Sequence, residues 1–446
     1  MSRLLTGWGR TSPSAARLVD ARPDELPGLL RSAGERGLLA RGLGRSYGDA
    51  AQNAGGTVLA PLTGPTSIER GPDGGAVVTA AAGTSLHELM AVLLREQLFV
   101  PVSPGTRYVT LGGAVAADIH GKNHHRDGSF GDHVVSLDLV TADGTLRTVG
   151  PQSDPELFWA TVGGMGLTGV VTTVRFRALA VGSAYVTVHT RRIPDVATLM
   201  RTMRESDAEH RYSVAWVDTL ARGRALGRSV LTRGDHAEAS ALTGRAARHP
   251  WRAPDDPRLG VPVTPPVGLV SRPGVRAFNE VWFRKAPADG VHVQSLASFF
   301  HPLDLVDGWN RLYGPRGLVQ YQLAVPDEAE EAVVEALRLL STAGRPAFLS
   351  VLKRFGPGNP GVLSFPTAGW TLAVDLPTDP ALAPLFRDLD EVVAVAGGRV
   401  YLAKDARMSR AVFDRMYPRA QEFRELRRRT DPHRVLQSDL SRRLDL

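Results

Sequence analysis

Three glycine-rich segments lie within the first 171 residues, and each adjoins a run of β-forming residues. They are residues 40–49 (ARGLGRSYGD), 103–125 (SPGTRYVTLGGAVAADIHGKNHH) and 158–171 (FWATVGGMGLTGVV). Glycine lets backbone N–H groups approach a ligand closely and point at it, which is how many proteins hold pyrophosphate. None of the three carries a Walker lysine or the spacing of a strand–helix dinucleotide fingerprint. The pattern therefore predicts a large phosphate-bearing cofactor that is held mainly by loops.

The composition is that of a globular protein with several domains. The chain has 446 residues, of which 43% are apolar and 22% charged, so disorder, collagen and coiled coil are excluded as the main architecture. It has no cysteine, which excludes disulfides, thiolate metal sites and cysteine nucleophiles. The net charge of +7 suits an anionic substrate or an anionic lipid surface. No nucleic-acid motif accompanies it, so we expect no nucleic-acid partner.

The chain changes character near residue 183. Before it, short β runs alternate with glycines, the DG at 143–144 predicts a hairpin, and Ser85 with Glu88 predicts a capping box at the start of a helix over 85–97. After it, strands over 211–220 and 319–326 and a helix over 327–344 predict a sheet covered by helices. Seven prolines in 250–273 predict a long loop, and 407–446 is helical and rich in arginine.

Short motifs are spread in order from residue 42 to 444. They are GLGRSYGDAAQN, DIHGKNHH, GSFGDHV, ELFWATVGGMGLTG, YSVAWVD, QYQLAVP, VLKRFG, LSFPTAGW, YLAKDARM and DPHRVLQSDLSRRL. The glycine-rich segments resemble the flavin-binding half of vanillyl-alcohol-oxidase-type FAD oxidoreductases. With all of these motifs, the whole chain is similar to the decaprenylphosphoryl-β-D-ribose 2-oxidase family of actinobacteria.

The resemblance implies an α+β fold with two domains. We expect a PCMH-type FAD-binding domain of two small α+β subdomains over 1–182, and a substrate domain with a helix-covered antiparallel sheet over 183–398. That domain would contain the mobile Pro-rich loop 250–273, and the segment 399–446 would return to the FAD domain. The implied reaction oxidises the ribose 2-hydroxyl of a polyprenyl-phosphoryl pentose to a ketone. It is the first half of an epimerisation to the arabinose donor for cell-wall arabinan, which a short-chain reductase partner would complete.

The resemblance also implies which residues hold FAD. Arg45 stands where covalent relatives carry a flavin-linking histidine, and arginine cannot form that bond, so we expect FAD to be non-covalent. The small residues before His120 would let the backbone lie against the flavin. The expected FAD-binding residues are Arg41, Gly42, Gly44, Arg45, Ser46, Tyr47, Gly48, Gly105, Thr110, Leu111, Gly112, Gly113, Ala117, Asp118, Ile119, His120, Gly164, Gly169, Val170 and Tyr401.

Oxidation of a carbinol needs a base for the hydroxyl proton and a hydride acceptor beside the C–H bond. Lys404 is the first catalytic candidate, as a base or as a fixed cation, and the alternative is a surface lysine at a strand end. His120 and Tyr47 complete the catalytic set; Tyr47 is either an active-site phenol or a ring packed against the cofactor, and the alternative is a turn tyrosine. The expected substrate-binding residues are Lys122, Trp216, Gln320, Gln322, Lys353, Thr371 and Ala373, of which Trp216 is as consistent with a core position.

Several alternatives stay open. His120, His124 and His125 could bind a metal ion, but they lack a carboxylate partner and a ligand spacing, so we expect no metal and assign His124 and His125 to loop packing or the surface. Some relatives carry asparagine and cysteine where this chain has Thr371 and Ala373, which leaves the sugar and lipid open. The rival functions are a sugar-alcohol or aldonolactone oxidase with a soluble substrate, and a flavin-holding scaffold for a reductase.

The substrate side is expected to meet lipid. The loop 250–273, EVWF (280–283) and SFFHPL (298–303) could form an apolar lip for a polyprenyl chain, and we expect 250–273 and 298–304 to be poorly ordered without substrate. The N-terminus has no apolar h-region, and no run approaches a membrane span. We therefore expect a cytoplasmic or peripherally membrane-associated protein, with the periplasmic face as the alternative.

Overall fold

A computed structural model describes residues 2–72, 75–253, 256–257 and 259–446. The strands are β1 Ser2–Leu5, β2 Ser14–Val19, β3 Leu38–Ala40, β4 Thr57–Leu59, β5 Thr66–Arg70, β6 Ala76–Ala81, β7 Leu98–Phe99, β8 Val134–Val140, β9 Leu146–Val149, β10 Val170–Ala180, β11 Tyr185–Ile193, β12 Tyr212–Val217, β13 Ser229–His236, β14 Leu259–Gly260, β15 Asp289–Ser295, β16 Val306–Asp307, β17 Leu318–Pro326, β18 Ser350–Phe355, β19 Gly369–Pro377 and β20 Arg399–Val400.

The α-helices are separated by several short 3₁₀ turns. They are α1 Leu26–Arg31, α2 Leu86–Leu93, α3 Leu111–Ala116, α4 His124–Asp127, α5 Pro155–Thr161, α6 Val196–Ser206, α7 Gly244–Arg248, α8 Arg272–Lys285, α9 Leu296–Phe300, α10 Glu331–Ala343, α11 Ala383–Val395, α12 Arg410–Met416, α13 Ala420–Thr430 and α14 Asp439–Leu444. In the part of the chain described, no helix is both long enough and apolar enough to cross a membrane.

The N-terminal part contains two sheets. A four-stranded sheet has the order β1-β2-β4-β3, in which β4 runs parallel to both of its neighbours. A six-stranded antiparallel sheet has the order β5-β6-β10-β8-β9, with β7 paired to the end of β10. One apolar cluster joins α1, β3 and β4 to Val140 and Val170 of the second sheet, so the two predicted α+β units are present and pack against each other.

The third sheet has eight antiparallel strands in the order β15-β11-β13-β12-β18-β19-β17-β20. Helices α6, α10 and α11 cover one face, and their buried apolar residues recur at spacings of three and four, as in Val333, Leu337 and Leu340. The opposite face of β12, β18, β19 and β17 carries polar side chains, and the short helix α4 contacts it at the Phe355 end of β18. The fold is the predicted α+β architecture, with a helix-covered antiparallel sheet.

Local signals in the sequence account for several element ends. The Ser85 hydroxyl accepts a hydrogen bond from the Glu88 N–H, and the Glu88 carboxylate accepts one from the Ser85 N–H, which confirms the predicted capping box of α2. Helix α10 ends at Gly344, whose φ of 61° lies in the left-handed region. The DG at 143–144 forms the predicted hairpin between β8 and β9, with Gly144 at φ 83°.

The C-terminal segment contacts the first sheet. The Leu38 N–H donates to the Val435 carbonyl at 2.7 Å, and Leu436 forms a parallel bridge with Leu38. Arg443 forms ion pairs with Asp49 at 2.7 Å and with Asp405 at 2.8 Å. Because Asp49 follows the first glycine-rich segment and Asp405 follows Lys404, this arginine holds two parts of the chain together near the site.

Two expectations about the proline-rich region are wrong. Arg272 and Pro273 belong to α8, because proline is tolerated in the first turn of a helix. The segment SFFHPL is not an exposed lip, since Phe299, Phe300 and His301 are buried among other aromatic rings. Pro254, Asp255 and Arg258 of the predicted loop lie outside the described residues. The mobility of the loop remains a prediction.

Candidate active site

Strand register brings the predicted substrate residues onto one sheet face. Residues paired across neighbouring strands, and residues two apart on one strand, point to the same side. Gln320 on β17 lies opposite Asp375 on β19, and Gln322 lies opposite Ala373. The same face carries Lys353, opposite Thr371, and Trp216, opposite Val351. The six predicted side chains on these strands are Trp216, Gln320, Gln322, Lys353, Thr371 and Ala373, and the face places all of them together.

His120 is the centre of the first cluster on this face. Its Nε2 lies 2.9 Å from the Gln322 amide nitrogen, and its Nδ1 lies 3.0 Å from Lys353 Nζ. The Gln322 amide also donates to the Thr371 hydroxyl at 3.3 Å. Three aromatic rings surround the imidazole. The distances between ring centres are 4.8 Å to Phe355, 5.7 Å to Phe365 and 5.5 Å to Tyr401. Thr371 can therefore still form a polar contact in the place where some relatives carry asparagine.

Tyr47 and Lys404 form the second cluster. The Tyr47 N–H donates to the Ala403 carbonyl at 2.9 Å, which holds the first glycine-rich segment beside residue 404. Lys404 Nζ lies 4.0 Å from the centre of the Tyr47 ring. The Gln320 amide donates to the Tyr47 hydroxyl at 3.3 Å and to Asp375 Oδ1. Gln320 and Gln322, two residues apart, thus link the two clusters.

Burial shifts the proton affinities of the site. Burial, followed by the charges of Lys122 and Lys404, lowers the pKa of Lys353 to about 7. Burial lowers the pKa of Lys404 to about 8, although Asp375 acts in the opposite direction. Burial and then Lys353 lower the pKa of His120 well below its ordinary value. The two lysines can therefore exchange protons near neutral pH, which suits general acid–base chemistry, while the His120 ring stays neutral there.

Lys122 approaches the same region from the opposite side. Its ammonium donates to the Phe299 carbonyl and lies 4.2 Å from the centre of the Phe299 ring. Burial lowers the pKa of Lys122 to about 7. The segment that sequence reasoning placed on an apolar lip is therefore the wall against which this lysine packs.

The first glycine-rich segment fits a phosphate-bearing cofactor. Among the described residues, no acceptor lies within hydrogen-bonding distance of the backbone N–H groups of residues 42–46. Gly44 has a φ of +67°, which turns successive amides of this segment in a way that other residues rarely allow. Consecutive unpaired backbone N–H groups form an anion-binding concavity. The donor set therefore fits the pyrophosphate of FAD.

Arg45 adds a cation at this segment. Its guanidinium lies 4.0 Å from the centre of the Trp8 ring and 5.3 Å from that of Tyr108, and its buried Nε has no hydrogen-bond partner in the part of the chain described. The expected FAD residues with an accessible face are Arg41, Gly42, Gly44, Arg45, Ser46, Gly105, Gly112, Gly113 and Ala117.

Other expected FAD residues are covered by the protein itself. A Cβ on Gly48 would lie 1.9 Å from the Asp405 carbonyl oxygen, and one on Gly164 would lie 2.1 Å from that of Ala160. Asp118 accepts hydrogen bonds from Ser129, Gly131, Asn359 and Ser364, which occupy its carboxylate. The expected FAD residues that are buried are Gly48, Thr110, Leu111, Asp118, Ile119, Gly164, Gly169, Val170 and Tyr401, and their contact with FAD stays a prediction.

Asp375 is the residue that sequence reasoning missed. It is fully buried, and its Oδ2 has no hydrogen-bond partner in the described part of the protein. Burial raises the pKa of Asp375 to about 7, against the opposing effects of Gln320, Lys404 and Tyr47. The sequence pattern that could have predicted Asp375 is the alternation of side chains along β19. Asp375 lies two residues after Ala373 and therefore points to the same face of the sheet.

The histidines do not form a metal site in the described ranges. No group of three or more His, Cys, Asp or Glu side chains there is placed to hold a metal ion. The His124 ring packs 4.4 Å from Phe355 and bonds to the Gly356 N–H, and His125 bonds to the His210 carbonyl. Both contacts are those of loop packing.

The site can be compared with known proteins. The chain is 41% identical over 455 residues to the decaprenylphosphoryl-beta-D-ribose oxidase of Mycolicibacterium smegmatis, which covers 100% of this chain and 98% of the relative. It is 42% identical over 372 residues to an uncharacterised protein of Streptomyces coelicolor, covering 81% of this chain and 100% of the relative. Cytokinin dehydrogenase 4 of Arabidopsis thaliana is 32% identical over 145 residues, or 30% of this chain and 27% of the relative.

Two family matches agree with these relatives. Residues 19–150 match the family described as FAD binding domain, and residues 373–444 match the family described as D-arabinono-1,4-lactone oxidase. The first match contains two of the three glycine-rich segments, and the second contains Lys404. The protein is therefore an FAD-dependent oxidoreductase, and the chain belongs to the decaprenylphosphoryl-β-D-ribose oxidase family.

Proposed function

We propose that the protein oxidises the ribose 2-hydroxyl of decaprenylphosphoryl-β-D-ribose, or of a related polyprenyl-phosphoryl pentose, to the 2-keto sugar. The observation that carries the proposal is the polar sheet face. It presents Gln320 and Gln322 between Lys404 and the His120–Lys353 pair. Two amides on one strand can bond neighbouring hydroxyls of one sugar, and Lys353 and Lys122 supply cations for its phosphate. This would be the first half of an epimerisation, so the proposal includes a short-chain reductase as the partner that completes it.

The residues of this chain would manage the proton of the reaction. FAD, when bound, supplies the acceptor for the hydride of the carbinol carbon. Lys404, in its neutral form, would take the hydroxyl proton at Nζ. The Tyr47 ring limits the space beside that amine, and the aromatic rings around His120 exclude water from the other side of the face. The accessible amides of residues 42–46 would hold the cofactor without a covalent link.

Helix α8 supports a lipid-linked substrate. Its buried side holds Asn279, whose amide donates to Asp218 at 2.6 Å, while Phe278, Val281 and Trp282 are exposed. Helices normally bury the apolar face, so this orientation indicates an apolar partner. Arg272, Arg276, Arg284 and Lys285 are also exposed on α8, and such basic residues favour an anionic lipid surface.

An apolar path joins this helix to the reaction centre. The Phe278 ring packs 6.2 Å from Phe348, and Phe348 packs 5.9 Å from Tyr313. Tyr313 belongs to the same apolar cluster as Tyr47. A polyprenyl chain that follows this path would leave its sugar beside Lys404. We therefore propose peripheral contact of α8 with the membrane in which the substrate is anchored.

Anaerobic mixing with candidate substrates tests the proposal. Bleaching of the flavin absorbance by a farnesyl-phosphoryl ribose analogue, and not by D-arabinono-1,4-lactone or a soluble polyol, is the expected result. The opposite preference would support a soluble-sugar oxidase, which the match of residues 373–444 favours as the second candidate. If no candidate bleaches the flavin, the protein acts as a flavin-holding scaffold for a reductase and both oxidase functions are wrong.

A further inference from the structure

Lysine is rare in this chain, and most of the few lysines lie in one region of the structure. Of 53 basic residues only four are lysines, namely Lys122, Lys285, Lys353 and Lys404. Lys122, Lys353 and Lys404 are half-buried at the site, and Lys285 is exposed on α8. Arginine keeps its proton under physiological conditions, whereas a buried lysine readily releases it. The chain therefore uses lysine mainly where an amine can change its protonation state.

The three lysines at the site differ in their partners. Lys353 bonds to a histidine ring, and Lys122 bonds to a backbone carbonyl. Lys404 lies 4.0 Å from the centre of the Tyr47 ring, and Tyr47 connects it through Gln320 to Asp375, the carboxylate that raises its proton affinity. The Asp375 side chain is held in place by the Gln320 amide, which also donates to the Tyr47 hydroxyl. Its second oxygen, Oδ2, stays without a protein donor among the described residues.

Other charged or titratable groups also face this pair. Tyr47 lies on the first glycine-rich segment, and Tyr313 lies on the 3₁₀ turn before β17; burial raises the pKa of both phenols well above the ordinary value, so both stay neutral. Arg45 acts on Tyr47, and Lys353 with His120 lies farther along the sheet face. Among the described residues, Asp375 is therefore the carboxylate whose charge acts on Lys404, and it becomes fully ionised only at mildly alkaline pH.

We propose that Asp375 is the positioning residue for Lys404: its carboxylate stabilises the Lys404 ammonium and thereby sets the pH at which this amine can accept the substrate proton. The kinetic part of this inference rests on the proposed function. In the step, the O–H bond breaks and its proton forms an N–H bond at Nζ. The electron pair of that O–H bond becomes the second bond of the new carbonyl. The hydrogen of the C–H bond, with its electron pair, would be taken up as hydride by FAD when bound. The ammonium that results faces Asp375.

The first test observes the lysines directly. Protein labelled with ¹³C at the lysine ε carbon should give four resonances, assigned with Lys→Arg variants, in the FAD-loaded full chain. Asp375→Asn should lower the pKa of Lys404 by about 1 unit or more, because an opposite charge has been removed. The resonances of Lys122 and Lys353 should titrate as in the parent. Asp390→Asn is the matched control, since it removes a buried carboxylate from the other face of the same sheet.

The second test follows the rate of flavin reduction by substrate as a function of pH. The rate should rise with pH as Lys404 becomes neutral, and Asp375→Asn should move this rise to lower pH by the same amount that the NMR titration moves. A merely structural role would lower the rate at every pH and leave the position of the rise unchanged. That result, or an unchanged Lys404 titration, would overturn the inference.

The two tests separate this inference from the proposed function. If no substrate reduces the flavin of the parent, the proposed function is wrong, while the NMR titration still decides whether Asp375 acts on Lys404. If Asp375→Asn fails to retain FAD or to fold, the parent alone provides the test. Its Lys404 resonance should then show a second inflection as Asp375 titrates, because coupled groups report each other's protonation. A single inflection would refute the pairing.

Discussion

At the scale of the residue, the surroundings of Lys404 help to distinguish three possible roles: a base, a fixed cation and a surface lysine. Nζ lies over the Tyr47 ring, the Lys404 residue is half-buried, and burial lowers its pKa to about 8, so an exposed surface position does not match the structure. A base must lose its proton, whereas a fixed cation needs only its charge. Arginine preserves the second property and removes the first, so a pair of substitutions can distinguish them.

We predict that Lys404→Ala leaves FAD binding and folding nearly intact and lowers the rate of flavin reduction by ~10²-fold or more, which is the scale of a positioned acid–base group. Lys404→Arg should not restore the rate. Stopped-flow absorbance with the farnesyl-phosphoryl ribose analogue measures both. Recovery in the arginine variant would make Lys404 a fixed cation, and parental rates in both variants would remove it from the reaction.

Arg45 gives a second prediction at this scale. Its guanidinium packs against Trp8 and Tyr108, and it has no atom that can link covalently to a flavin. Acid or heat unfolding should therefore release all of the FAD into the supernatant after the polypeptide is precipitated. Yellow colour that stays with the precipitated chain would contradict the non-covalent binding.

At the scale of the element, helix α8 is distinctive because its exposed side is apolar. We predict that replacing Phe278, Val281 and Trp282 together by serine lowers binding to anionic vesicles by roughly 10-fold or more, since each apolar side chain contributes free energy when it leaves water. Cosedimentation with vesicles of phosphatidylserine and phosphatidylcholine measures the change. Leu146→Ser with Val395→Ser is the matched control, because both side chains are exposed elsewhere. Equal binding by the two variants would exclude α8 as the contact.

Some elements could be predicted from the sequence, and others could not. The capping box of α2 and the Gly144 hairpin depend on neighbouring residues alone, so local patterns were sufficient for them. Alternation in β17 placed Gln320 and Gln322 on one face, and the same rule on β19 would have found Asp375. The burial of Phe299 and Phe300 depends on contacts with distant strands. In the sequence, an apolar segment near prolines has the same pattern whether it is exposed to lipid or buried in the core.

At the scale of the whole molecule, the half-buried lysines should cost stability near neutral pH. Lys122 has a folded pKa of about 7, well below the value of 10.5 for an unfolded lysine. Between these values the unfolded chain binds more protons, so the free energy of unfolding rises with pH. We predict an increase from this residue of about 2 kcal/mol between pH 7 and pH 9.

Urea unfolding of the FAD-loaded protein at pH 7, 8 and 9 measures this increase. Lys122→Met should be more stable than the parent at pH 7 and should show a smaller increase with pH. Lys285→Met is the matched control, because that side chain is exposed. An equal pH dependence in the parent and in Lys122→Met would show that Lys122 does not carry the effect.

The scarcity of lysine also decides how the molecule can be handled. Amine-reactive dyes, cross-linkers and coupling resins attach to accessible lysines and to the α-amino group. Because three of its four lysines are half-buried, the most accessible side-chain amine that this protein offers them is that of Lys285 at the end of α8. A support coupled through that amine would hold the protein by the helix that we assign to lipid, and a dye placed there would report directly on the approach of a membrane.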